Sequence, residues 1–109
     1  MILGIDCSTS FTGLAVINYS NQVLFCESVD TRNKNKFCNV YEKVEEVQKT
    51  LLSINNKFRI TKILIEEPVL MFAQGKSSAR TISTLSSFNG MISLISKVIY
   101  GIVPDHISA

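Results

Sequence analysis

The sequence is short of the residues that build the commonest metal and redox sites. It has one histidine, His106, which cannot make a metal site alone. Its three cysteines, Cys7, Cys26 and Cys38, are an odd number with no Cys-x-x-Cys spacing. That argues against a zinc site and a disulfide framework, and a reducing compartment is the plain reading. Excess charge is also missing. Eleven Lys and Arg against nine Asp and Glu leave a formal charge of +2, too weak to argue for nucleic acid by itself. The N-terminus lacks the basic flank and small-residue cleavage site of a signal peptide, and no apolar run is read as approaching the ~18 residues of a membrane span. Repeats and low-complexity segments are absent. The expectation is a soluble, cytoplasmic protein with no membrane partner.

What is present suffices for a core. Hydrophobic residues make up 46% of 109 positions, the size and composition of one small domain or a piece of one. "ILGID" (2–6) reads as a buried strand, and "TGLAVIN" (12–18) and "VLFCESV" (23–29) as two more, joined by short turns into an antiparallel meander. Val40, Val44, Val47, Leu51 and Ile54 recur at helical spacing, with Glu42, Lys43, Glu45, Glu46 and Lys49 opposite. "ITKILIEEP" (60–68) is a fourth strand, stopped by Pro68. Residues 77–100 carry the apolar stripe Ile82, Leu85, Phe88, Ile92 and Ile95 of a second helix, with Ser77 or Ser78 as its N-cap. "IVPDHISA" (102–109) reads as a short fifth strand. The order β-β-β-α-β-α-β predicts an α/β domain, in which a right-handed crossover sets strand four parallel to strand one and strand five beyond it.

That order brings acids together. Strand one ends on Asp6 and strand four on Glu66, both running the same way. Adjacent strands lie about 4.8 Å apart, so the two side chains can meet at the carboxyl ends where open α/β sheets place ligands. Two carboxylates at that range repel unless one is protonated or a cation lies between them. Oxygen ligands without imidazole or thiolate suit magnesium or manganese, in half of a site for phosphoryl transfer. The plainer alternative is an acid that caps a helix or faces solvent. Glu67 competes with Glu66, because strand alternation sends the two to opposite faces and spacing alone does not choose. Asp105 falls two strand spacings from strand one, too far to share an ion with Asp6. Glu27 and Asp30 belong to the far edge and read as solvated.

With those residues in view, "ILGIDCSTSFTGLAVI" resembles the opening of RuvC-type Holliday junction resolvases: an apolar strand delivering an aspartate, a Gly/Ser/Thr turn, then "TG" and a second strand. "ILIEEP" resembles the family's second motif, "SSARTISTLSSFNGMIS" the helix that follows, and "YGIVPDHIS" the next strand. The match runs in order along nearly the whole chain and is nearest to phage-type members. It implies an RNase H-like mixed sheet, a single domain over 1–109, and magnesium- or manganese-dependent hydrolysis of branched DNA such as Holliday junctions. Asp6 and Glu66 match the first two metal-binding, catalytic carboxylates, Glu66 being preferred because it directly follows the apolar run. The loop after it, 69–76, would touch DNA. Met71 or Phe72 would wedge against a base, and Lys76 and Arg80 would meet phosphates. Core or dimer packing and a solvated surface are the respective alternatives. Family members act as homodimers, with the helix at 77–100 as the contact surface, although its stripe fits a sheet equally well.

One departure weighs against full activity. The family's remaining acids lie on a helix beyond strand five, and this sequence stops at Ala109. The expectation is therefore a domain incomplete at its C-terminus, with its missing carboxylates on a further segment or partner and apolar sheet surface left uncovered. A catalytically incomplete DNA-binding or assembly module is the first alternative. The second is the first lobe of a sugar kinase or actin-like phosphotransferase, which also opens on strand, Asp and a Ser/Thr/Gly turn. That scheme needs a second lobe and a further phosphate loop, and it gives "IEEP" no place.

Overall fold

The computed structural model describes residues 1–68 and 79–108. Its elements are β1 (Ile2–Asp6), β2 (Phe11–Ile17), β3 (Val23–Asp30), α1 (Val40–Lys57), β4 (Lys62–Glu66), α2 (Ala79–Tyr100) and β5 (Asp105–Ile107). The five strands form one mixed sheet in the order β3-β2-β1-β4-β5. β1 pairs antiparallel with β2 and parallel with β4, and β4 pairs parallel with β5. This is the architecture the element order predicts. Boundaries differ most at the last strand, which is three residues long rather than the run 102–109.

Strand alternation divides the sheet into two unlike faces. Leu3 and Ile5 of β1, Leu14 and Val16 of β2, and Ile63 and Ile65 of β4 are buried on one side. They form a single cluster with Val44, Val47, Leu51 and Ile54 of α1 and Phe88 and Ile92 of α2. Helix α1 thus buries the stripe its spacing implies. Asn39 caps its start, accepting the N–H of Glu42 at 3.0 Å, while Glu42 accepts the N–H of Cys38 at 3.0 Å. The opposite side of the sheet carries Gly4, Gly13, Ala15 and Leu64, which line a shallow concavity of about 510 Å³ with Asp6 and Glu66 at its end. Among the described residues no helix packs on this face.

Two sequence-based expectations need correction. Helix α2 is, by length and composition, apolar enough to cross a membrane. Its serines break the apolar run without lowering the average hydropathy much. One side of α2 packs on the core: Phe88, Asn89, Ile92 and Ser96 are buried, and Ser96 donates to the Ile92 carbonyl at 2.7 Å. Its apolar stripe is also narrower than the spacing implies, since Ile82, Leu85 and Ile95 are half-buried. The helix ends on Gly101 at φ +70°, which a side chain would strain.

Candidate metal centre

The site begins at the carboxyl end of β1. The parallel register runs Ile2↔Lys62 to Ile5↔Ile65, so the next step sets Asp6 beside Glu66. The two carboxyl groups are near enough for the charge of one to act strongly on the other. The negative charge of Asp6, the hydrogen bond to it and partial desolvation together hold the Glu66 carboxyl above its ordinary range. Across the other neighbour, Asp6 faces Gly13. A Cβ on Gly13 would lie 3.8 Å from that of Asp6, so glycine here keeps the flank of the carboxylate open.

The backbone beneath both acids is fixed by side chains. Asn89 of α2, buried, donates to the Glu66 carbonyl at 3.0 Å. Glu67 turns away, and its N–H bonds the Ile107 carbonyl at 2.8 Å. In the turn after Asp6, Thr12 donates to the Ser8 carbonyl at 3.2 Å. The Thr9 carbonyl accepts from both Thr31 Oγ1 at 2.8 Å and Lys43 Nζ at 2.7 Å. The Ser10 carbonyl accepts the Thr31 N–H at 2.9 Å. Thr12 and Thr31 are fully buried. Cys7 packs against the core, and burial, with Asp6 second, pushes its thiol up to about 12. It stays a neutral thiol at any ordinary pH.

The structure therefore brings Asp6 and Glu66 together, and places Arg80, exposed, in the first described turn of α2. Met71, Phe72 and Lys76, with the helix caps Ser77 and Ser78, lie outside the described residues. Asp30 is exposed and paired with Arg32 at 2.9 Å, whose guanidinium holds its carboxyl below the usual range. Thr31, Lys43 and Asn89 escape the sequence reading. Asn89 left a trace, as a polar residue one position from the apolar stripe. Lys43 left none, since it lies on what reads as the solvated face of α1.

The donor set fits a divalent ion of the magnesium kind. It offers oxygen alone, and one or two carboxylates plus substrate phosphate are a common magnesium environment. Among the described residues no group of three or more His, Cys, Asp or Glu is placed to hold a metal, and Asp6 and Glu66 are the acids that meet there.

A five-stranded mixed sheet in this order, with an acid at adjacent ends of its central parallel strands, is the RNase H-like α/β class. Within that class the chain has the fold of RuvC. It superposes on Thermus thermophilus RuvC in complex with a Holliday junction substrate with a TM-score of 0.70 at 18% identity, covering 98% of this chain and 63% of that one. For Thermus thermophilus RuvC alone the TM-score is 0.63 at 18% identity, covering 98% and 60%. The chain thus spans less than two thirds of the length of either. No family model and no curated protein matches the sequence.

Proposed function

We propose that this chain is the core of a structure-selective endodeoxyribonuclease that acts on branched DNA such as Holliday junctions, with Asp6 and Glu66 as its metal-binding, catalytic carboxylates. The observation that carries the reading is the meeting of those two acids at adjacent strand ends on the fold of RuvC, one solved example of which is in complex with a Holliday junction substrate. When bound, a magnesium or manganese ion supplies charge neutralisation at the attacked phosphate. Asp6 and Glu66 would hold it, and Asn89 and the clamped turn would keep both carboxylates from swinging away. Met71 or Phe72 would meet a base and Lys76 and Arg80 the phosphates.

Two further parts belong to the same proposal. A second copy would dock along α2, where Gly90 is exposed and Leu94 and Val98, 62% and 73% exposed, follow at intervals of four residues on one side. Further carboxylates would come from a segment or partner that covers the open sheet face and meets Asp6 and Glu66 at its end.

The test is binding and cleavage of a labelled synthetic four-way junction in magnesium and in manganese. The expected result is preference for the junction over linear duplex, with paired nicks that disappear in Asp6→Asn. Folded protein that neither prefers the junction nor nicks it would refute the reading.

A further inference from the structure

On the β3 side of the same sheet end lies a groove the nuclease reading does not use. It is an opening of about 470 Å³ lined by Asp30, Arg32, Asn33, Lys36 and Phe37. We propose that it is a seat for a single nucleobase of the branched DNA, which stacks on the Arg32 guanidinium with Phe11 as its backing. The inference rests on the DNA reading above and adds to it a contact with a base, made by residues that reading leaves unassigned.

The platform is built across two strands. Phe11 opens β2 and faces Asp30 at the end of β3. Asp30 accepts three N–H groups of Arg32: the backbone N–H and Nε on Oδ1, each at 3.0 Å, and Nη2 on Oδ2 at 2.9 Å. The guanidinium so held lies over the Phe11 ring, 4.4 Å from its centre. Its edge is thus taken by the carboxylate and one face by the ring. The other face is what it has left to offer, and Arg32 lines the groove while Phe11 does not. A flat group fixed at edge and back loses little freedom when a second ring stacks on it.

The chemistry favours a base over a phosphate. Asp30 lines the same groove and matches the Arg32 charge, so an anion there would meet a carboxylate as well as a guanidinium. A neutral planar ring meets no such repulsion, and bases stack on arginine planes. The rim supplies donors for the edge of that ring. Asn33 Oδ1 is occupied by the N–H groups of Asn35 and Lys36 at 3.0 and 3.3 Å, and its Nδ2 has no hydrogen bond to another described residue. Lys36 Nζ lies 5.4 Å from the centre of the Phe37 ring and forms no ion pair among the described residues. The ring nitrogens and carbonyl oxygens of a base can accept from either.

Position links the groove to the carboxylates. β2 is antiparallel to both β1 and β3, so β3 runs with β1, and Asp30 ends it where Asp6 ends β1. Gly13 and Ser28 share the open face with Asp6, and alternation puts Phe11 and Asp30, each two residues away, on that face too. Two strand spacings across and two residues along set Asp30 roughly 12 Å from Asp6, on the side away from β4. A branch point interrupts the base stack, so a base beside it is the least costly to draw out.

The experiment measures affinity of the whole chain, without divalent metal, for a labelled four-way junction and for a set of junctions each carrying one abasic nucleotide at a different position near the branch point. Wild type is expected to bind one member of the set about tenfold more weakly than the intact junction. Arg32→Lys keeps the charge and removes the plane, and Phe11→Leu keeps apolar bulk and removes the ring. Each is expected to bind the intact junction about tenfold more weakly, with the salt slope unchanged, and to lose nothing further at that abasic position. If folded variants bind the intact junction within twofold of wild type, or if their loss multiplies with that of the abasic nucleotide, the inference is overturned. If the losses appear as expected but wild type cleaves no junction in magnesium, the seat stands and the nuclease reading fails. A wild-type chain that binds no DNA at all overturns both.

Discussion

The Thr9 carbonyl accepts from two donors on different elements, Thr31 Oγ1 at 2.8 Å and Lys43 Nζ at 2.7 Å, and this makes a quantitative prediction possible. Thr31→Val keeps the shape of a fully buried side chain and removes its hydroxyl. Ser10 keeps the Thr31 N–H as donor, and Thr9 keeps Lys43, so no carbonyl is left without a partner. The cost should be that of one ordinary hydrogen bond, about 1 kcal/mol. Lys43→Met keeps the apolar stem and removes the ammonium. Thr9 then keeps Thr31, and because Lys43 is half-exposed the loss should again be about 1 kcal/mol. In the double variant the Thr9 carbonyl has neither donor. A part-buried acceptor stripped of its partners adds a desolvation penalty of about 1–2 kcal/mol, so the pair should cost about 3–4 kcal/mol rather than about 2. Urea denaturation of the four proteins closes the cycle, with m-values checked for constancy. In thermal terms each single change should lower Tm by about 5 °C and the double by about 15 °C. Additivity within about 0.4 kcal/mol would show that the two donors do not share one acceptor, and the account of the turn as clamped from behind would fail.

Two more predictions concern the carboxylates. The raised Glu66 carboxyl means the folded protein holds a proton that the unfolded chain releases more readily. Stability of metal-free protein should therefore be greatest below the ordinary glutamate range and decline as pH rises from there through the raised value. Asp6→Asn should flatten that decline, and magnesium should restore stability above it in wild type only. Thermal melts across pH, with and without chelator, check this, and a wild-type profile as flat as that of Asp6→Asn would refute it. Asn89→Leu keeps the branched shape but leaves the part-buried Glu66 carbonyl without its donor, so it should cost about 1–2 kcal/mol in urea denaturation. No measurable loss would mean that Asn89 does not hold that strand end.

The parts of the fold that were legible in the sequence are those governed by period. Val44, Val47, Leu51 and Ile54 lie at helical spacing and bury as a unit. "ILGID" and "KILIE" are short apolar runs that end on acids, and the crossover rule then makes the strands parallel neighbours, which puts Asp6 next to Glu66. Contacts between a side chain and a distant carbonyl follow no period. Thr31 comes from the polar run after β3, and Lys43 from the charged face of α1. Nothing local distinguishes either from a solvated residue until the chain folds 22 or 34 positions back onto Thr9. Asn89 is intermediate, because a buried polar residue beside an apolar stripe must find a partner, but which partner depends on where α2 crosses β4.

The two faces of β1 explain why so small a domain can hold an acid pair without losing its core. Leu3 and Ile5 point into the cluster beneath the helices, while Gly4 and Asp6 point to the uncovered side. Burying Asp6 among the former would set a charge against hydrocarbon, a cost that only pairing or neutralisation relieves. On the open side the pair stays within reach of water and ions, and the repulsion that protonation relieves is the same repulsion that a divalent cation would relieve more fully.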